Sequence, residues 1–371
     1  MTTRSLTTPL CRQLGVEHPI FAFSHSVDVT IQVTLAGGFA VLGVARDHPD
    51  HISQMIREVR AAVGHRRFGV DLMLPKLNSN ETSVADLKRK LPVSHTEFVE
   101  GLAAKYQVPS ATRPHFFTET VRSQSFFEDQ LQTVLDSDVD LVACAVGVPT
   151  DVIQRIKERE KIALALVGAP KHARSALAAD VDILVAQGTD AGGHTGPIGT
   201  FTLVPQVIEV AGNLPVITAG GIGHGRQIAA ALAMGAQGAW LGTAWLTTRE
   251  HGLSSAITDK LIAAGSEDTL LTRAHSGKSC RVIKSAWTDE WHAAGAPDPL
   301  PMPYQHALTG SLLAAVEEHE VLPLLYSPAG QSVAWSRNIE GTREVVDRLV
   351  TETRLALDAL ISGLDECRAR V

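Results

Sequence analysis

The chain has 371 residues, 44% hydrophobic, 5% aromatic and 20% charged, with 30 Gly, 18 Pro and a formal net charge of −7. Its length allows a large buried core, arranged as two domains or as one large barrel with additions. The acidic balance disfavours a basic nucleic-acid or membrane-surface binder, which needs clustered Lys and Arg, and the scarcity of aromatics favours an α/β protein over a β-sandwich.

Eight short apolar runs mark predicted strands. They are residues 19–23 (PIFAF), 39–44 (FAVLGV), 68–74 (FGVDLML), 141–145 (LVACA), 162–167 (IALALV), 183–187 (ILVAQ), 215–219 (PVITA) and 238–242 (GAWLG). Helical spacing of Ile52, Met55, Ile56 and Val59 predicts a helix over 49–63. From 141 onward the runs recur about one βα unit apart. Uninterrupted apolar runs suit parallel strands buried on both faces. Eight strand–helix units therefore predict an α/β fold, a (β/α)8 TIM barrel over 9–248. An open doubly wound sheet would carry its glycine fingerprint in the first turn, whereas these glycines lie late.

Residues 75–128 read as an insertion after the third strand, containing Asn78-Ser79-Asn80, the run Lys88-Arg89-Lys90, and Pro92, Pro109 and Pro114. Inserted βα loops often build substrate pockets, and the cationic run reads as a solvated helix face. Residues 249–310 are expected to form a substrate-side extension, with three patches rich in Trp, Pro and Gly. Residues 311–371 are expected to supply C-terminal helices that pack on the barrel. The last helix is placed over 335–362, on an apolar stripe of Val345, Val346, Leu349, Val350, Leu355, Leu357 and Leu360.

The four cysteines, Cys11, Cys144, Cys280 and Cys367, are widely spaced and form no CxxC pair. No metal site and no disulfide framework are expected, and Cys144 reads as a core thiol. No signal peptide or transmembrane run is visible, so a cytoplasmic setting is expected.

Three glycine-containing segments carry the chemistry. Gln187-Gly188-Thr189-Asp190-Ala191-Gly192-Gly193-His194 follows the sixth strand, where barrel enzymes place their active-site groups. Gly192 and Gly193 permit positive φ or close approach of a flat ligand, and His194 suits proton transfer near neutral pH. Gly220-Gly221-Ile222-Gly223 follows the seventh strand and opens a helix, and Gly242-Thr243 follows the eighth. Loops at these two positions, with a helix N-terminus, recur as phosphate sites. At the first strand, the backbone of Ala22, Phe23 and Ser24 is placed along a ligand ring, and His25 is a candidate for the substrate pocket. Asp71 interrupts an apolar strand, so its carboxyl needs either a structural hydrogen bond or a ligand.

AQGTDAGGHTG, LPVITAGGI and GAWLGTAWL, in this order and spacing, resemble the nitronate monooxygenase family, formerly called 2-nitropropane dioxygenases. HPIFAF, AGGFAVLG, FGVDLMLP, SGKSCRVIKSAWTDEW and the late AGQS extend the resemblance from about residue 9 to 350. It implies a TIM barrel that holds FMN non-covalently. By position, His194 matches the active-site histidine, a base for a nitroalkane or a contact to the nitronate. Gly220 and Gly221 match the first phosphate loop, and Gly242 and Thr243 the second. Ala22 and Phe23 match the backbone against the flavin, and Gln187 and Gly193 line its pocket; Ser24, Asp71 and Gly192 complete the expected cofactor-binding set. The chain departs from many relatives in AFSHS after the first strand, in Asp71 where they carry Asn, and around Leu166 where some carry Lys.

The implied activity is oxidation of alkyl nitronates, and of nitroalkanes, with O2 to carbonyl compounds and nitrite. FMN-dependent enoyl-thioester reductases share both glycine motifs, so an NAD(P)H-dependent reductase of enoyl thioesters or quinones stays open. A phosphate-ligand barrel without redox chemistry also stays open. The expected partners are a small-molecule substrate and O2, without nucleic acid or membrane; a homo-oligomer is compatible with the sequence.

Overall fold

The computed structural model describes residues 5–73, 83–113, 124–145 and 147–368, with side chains as far as 363. Asn78-Ser79-Asn80, Pro114 and the side chain of Cys367 lie outside the described residues. All eight predicted strands are present. In order, β1 (Ile20–Ser24), β2 (Phe39–Gly43), β3 (Gly69–Met73), β4 (Leu141–Ala145), β5 (Ile162–Val167), β6 (Ile183–Gln187), β8 (Val216–Ala219) and β9 (Gly238–Leu241) close a parallel barrel. β7 (Gly193–His194) stands outside it. Pairing of Ile20 with Ala239 and of Phe21 with Trp240 makes the closing seam.

Side-chain alternation fills both faces of the barrel wall. Inward residues such as Phe21, Phe39, Leu141, Leu164, Ile183 and Ile217 form a packed centre, plugged below by Leu10 and Leu14 of α1 (Pro9–Leu14). Outward residues such as Leu42, Leu72, Val142 and Leu184 pack beneath α3 (Pro49–Val63) and the helices that follow each strand. The helix predicted over 49–63 forms at those limits and buries Ile52, Met55, Ile56 and Val59. At the C-terminal rim the centre opens. Phe23, Met73, Ala145, Leu166 and Gln187 are the last inward residues of their strands, and each is half-buried.

The insertion and the extension share a second core. From the insertion come α4 (Val84–Arg89) and α5 (Val93–Lys105). They pack with α12 (Ala286–His292), α13 (Tyr304–Glu318) and the hairpin of β10 (Thr269–Thr272) and β11 (Cys280–Ile283), around Val99, Leu102, Trp287, Trp291, Leu312 and Leu313. The boundary expected between 310 and 311 falls inside α13, which packs on α4 and α5. That helix is buried nearly all round and so needs partners on both sides. Lys88, Arg89 and Lys90 are exposed, as a solvated face would be.

The final helix, α14 (Thr342–Arg368), begins later than predicted. Of the expected span, Trp335 closes a 3-10 turn (Gln331–Trp335), Glu340 bridges to Thr248, and Glu344 caps the helix start by accepting from Gly341 N–H at 2.7 Å. Val345, Val346, Leu349 and Val350 bury against α2 (Val27–Leu35) and α10 (Gly225–Ala233), but Leu355 and Leu360 of the predicted stripe are exposed. Among the described residues no helix is long and apolar enough to cross a membrane.

α14 meets α10 backbone to backbone: a Cβ on Gly225 would lie 2.6 Å from the Glu352 carbonyl carbon. Gly225→Ala is therefore expected to cost about 3 kcal/mol by overpacking. Gly101→Ala in α5, where a Cβ meets nothing within 4 Å, is expected to stabilise by about 0.5–1 kcal/mol. Denaturant unfolding of the two variants checks the opposite signs.

Candidate active site

His194 sits on strand backbone at the barrel mouth. β7 pairs antiparallel with β11, Cys280 opposite His194 and Arg281 opposite Gly193. Gly193 takes φ 75°, the left-handed region that a glycine adopts without strain. Gln187 Nε2 donates to the His194 carbonyl at 2.8 Å, Thr195 Oγ1 to the Gly188 carbonyl at 2.8 Å, and Arg281 Nε to the Thr189 carbonyl at 2.8 Å. The imidazole is half-buried, with Nε2 2.6 Å from Ser276 Oγ.

Gly192 serves close approach, but to protein. A Cβ there would lie 2.6 Å from Gly330 N, and one on Gly330 would lie 2.6 Å from the Asp190 carbonyl oxygen. The late AGQS segment is thus docked on the His194 loop. Gln331 N–H donates to the Asp190 carbonyl at 2.9 Å, and Gly330 N–H to Thr243 Oγ1 at 2.9 Å.

The two phosphate-loop candidates lie on neighbouring strands, β8 and β9. Gly220 and Gly221 take φ 103° and 72°. Among the described residues, the N–H groups of Gly220, Gly221, Ile222, Gly242 and Thr243 have no hydrogen-bond partner. A Cβ on Gly242 would meet only the Phe23 carbonyl, at 4.0 Å. Open backbone donors beside a space without side chains can hold a phosphate group. The expected help from the helix N-terminus needs correction. Gly225 N–H of α10 already donates to the Glu352 carboxylate at 2.8 Å, Arg226 N–H to His224 Nδ1 at 3.1 Å, and Gly223 N–H to Gln227 Oε1 at 2.9 Å. An anion at this site therefore depends on the turns themselves.

At the first strand, Phe23 stacks on Trp240 with centroids 6.2 Å apart. His25 is exposed; its Nδ1 lies 2.8 Å from the Gly43 carbonyl, and its ring meets Phe23 edge-on. Ala22 is buried on the outward face, and Ser24 Oγ accepts from Ser26 N–H at 3.1 Å. At both positions the backbone is what could border a ligand. Asp71 faces inward between Gly43 and Ala143 and is 5% exposed, and its Oδ1 has no partner among the described residues. Burial pushes its carboxyl well above the ordinary carboxylate range, so the group holds its proton. Cys144 and Cys280 are buried thiols, each pushed up to about 12 by burial, and are not poised as nucleophiles.

The structure adds residues that sequence reasoning had not singled out. Buried Ser276 touches His194, and buried Tyr326 hydrogen-bonds His275 Nδ1. The His275 ring centroid is 5.6 Å from that of His306. Arg46, just beyond β2, acts electrostatically on both Tyr326 and Cys280. SGKSC had signalled this neighbourhood only as part of a resemblance. No spacing rule joins 194, 276, 306 and 326.

The family model described as nitronate monooxygenase matches residues 8–352. A Mycobacterium tuberculosis protein provisionally named a monooxygenase is 37% identical over 361 residues, covering 94% of this chain and 96% of that one. The solved nitroalkane oxidase from Streptomyces ansochromogenes is 29% identical, with a TM-score of 0.80, over 94% of this chain and 99% of its own. FabK from Thermotoga maritima shares the fold at 24% identity, with a TM-score of 0.74, over 97% and 100%.

Asp71 gives a test by linkage. Folded, it keeps its proton; unfolded, it ionises in the ordinary carboxylate range. Folding then takes up a proton, and stability is lost as pH rises above that range toward the folded pKa. Asp71→Asn is expected to raise Tm at about pH 8 and to change it least at about pH 2–3, below the ordinary carboxylate pKa, where both states are protonated. Thermal melts across this interval check it, and a gain independent of pH would contradict the buried acid.

Proposed function

The chain belongs to the nitronate monooxygenase family and is an oxidoreductase, and from that premise we propose that it binds FMN and oxidises alkyl nitronates with O2 to carbonyl compounds and nitrite. Neutral nitroalkanes are a second substrate class, entering through loss of the α-proton. The observation that carries this reading is that the loop bearing His194 and the N–H groups at 220–222 and 242–243, which have no partner among the described residues, follow the neighbouring strands β6, β8 and β9.

The cradle fits the phosphate of a flavin mononucleotide. The N–H groups of Gly220, Gly221, Gly242 and Thr243 would hold it, with space above Gly242. The backbone of Ala22, Phe23 and Ser24, the loop at Gly192 and Gly193, and the side chains of Asp71 and Gln187 would border the ring. Bound there, FMN supplies the electron transfer between the nitronate and O2.

The protein's own residues do the rest. Half-buried apolar groups at the rim, Phe23, Ala145 and Leu166, do not stabilise an anion. A nitronate therefore needs a donor, which His194 provides when protonated. For a neutral nitroalkane, the unprotonated imidazole of His194 accepts the α-proton, and the resulting N–H then faces the anion it has made. His25, tied to Gly43, stands at the edge of the same rim as a substrate-pocket residue.

FMN-loaded protein is expected to release nitrite aerobically from propionate 3-nitronate and from 2-nitropropane. His194→Ala is expected to lower kcat/KM for 2-nitropropane by about 100-fold or more, and for the nitronate by less, because only the neutral substrate must lose a proton. No nitrite from either substrate, with rapid anaerobic bleaching of the flavin by NADH or NADPH, would favour a reductase instead.

A further inference from the structure

We propose that Ser276 is the positioning residue of His194, a hydroxyl that accepts from its Nε2–H in both charge states of the ring. The proposal rests on the role given to His194 above.

Ser276 Oγ lies 2.6 Å from His194 Nε2 and is fully buried. Its other neighbours both belong to Lys278: the backbone N–H donates to Oγ at 3.3 Å, and the carbonyl lies 3.5 Å from it. A serine hydroxyl has one proton and two acceptor sites. The nitrogen that takes the α-proton is the one Ser276 does not hold, Nδ1, so a neutral His194 that acts as the base carries its one proton on Nε2. In both charge states Nε2–H then donates to Oγ, and the hydroxyl proton turns toward the Lys278 carbonyl. The Lys278 N–H stays bonded in both states. Ser276 thus keeps the ring in one orientation while its charge changes, without rearrangement of the backbone.

The two states are not equally served. A hydrogen bond from an imidazolium N–H is charge-assisted and stronger than one from a neutral imidazole N–H. Ser276 therefore favours protonated His194, and burial prevents water from taking its place. Charged and titratable groups lie on the elements around this site: Lys278, Cys280 and Arg281 on β11 and its approach, and Asp190 in the loop after β6. Arg46 comes from beyond β2, and His275, His306 and Tyr326 come from the extension. Lys278 meets Ser276 through its backbone, so a change at Ser276 removes no charged side chain.

The test follows the His194 ring C–H resonance against pH in the FMN-loaded protein, assigned by its loss in His194→Gln. Ser276→Ala and the near-isosteric Ser276→Cys are expected to lower the His194 midpoint by about one pH unit, and Ser276→Thr to preserve it. The acid limb of kcat/KM for 2-nitropropane should move with the midpoint, and kcat should fall about tenfold in the Ala and Cys variants only. The Cys variant carries the test if the Ala variant does not fold. A midpoint moved by less than about 0.3 unit in the folded variants overturns the proposal, as does a loss of activity that Thr does not rescue. The titration needs no turnover. A moved midpoint in a protein that makes no nitrite sustains the positioning role and overturns the reaction assigned to the site.

Discussion

Two residues of antiparallel ladder, Gly193 and His194 against Arg281 and Cys280, hold the candidate site together. A barrel of parallel strands leaves its C-terminal loops without strand partners of their own. Here one of those loops is paired by a hairpin from beyond the barrel. The same hairpin contributes Cys280 and Val282 to the second core, among Trp287, Leu312 and Leu313. The position of His194 therefore depends on the folding of the insertion and the extension, and not on the barrel alone. Ser276, one short loop before β11, is brought to the imidazole by this ladder.

The anion cradle is built by a different economy of donors. Strand-to-helix turns usually lend a helix N-terminus to a phosphate. In this chain α14 crosses α10 at Gly225, and Glu352 takes that terminus. What remains is the pair of turns at Gly220-Gly221, with φ 103° and 72°, and at Gly242-Thr243, where a Cβ on the glycine would meet only the Phe23 carbonyl; their backbone N–H groups have no partner among the described residues. The glycines thus carry electrostatic weight as well as conformational freedom. The carboxylate on the helix end compensates the dipole, so the binding field is local to the turns.

The barrel was readable because each wall strand is buried on both faces and appears as an unbroken apolar run, punctuated by turn glycines. The positions of His194 and of the two glycine turns at strand ends were readable because the barrel architecture places its loops there. What escaped depends on contacts between distant segments. Gly192 looked like a ligand approach, yet Gly330 fills the space beside it. The start of the last helix was misplaced because an apolar stripe does not reveal that Glu340, before Thr342, bridges to Thr248 and accepts from Arg249 N–H instead of entering the helix. Ser276, His275, His306 and Tyr326 have no shared spacing, and a lone Ser or His in a loop usually signifies nothing. Only the β7–β11 register makes Ser276 a neighbour of His194.

This division bears on specificity. The cradle and the ring-bordering backbone come from the barrel, where glycine and main chain leave little to vary without loss of the fold. The groups beyond His194 come mostly from outside the barrel, the Tyr326–His275 pair with His306 beside it, and Arg46 just beyond β2 acts on Tyr326 electrostatically. Tyr326 is buried and held well above its ordinary pKa, so it stays a neutral donor or acceptor. A substrate seated between barrel rim and extension would meet apolar groups on one side and this polar set on the other. On the proposed function, binding of the cofactor and choice of substrate would fall to different parts of the chain. The ladder at His194 is where those parts are joined.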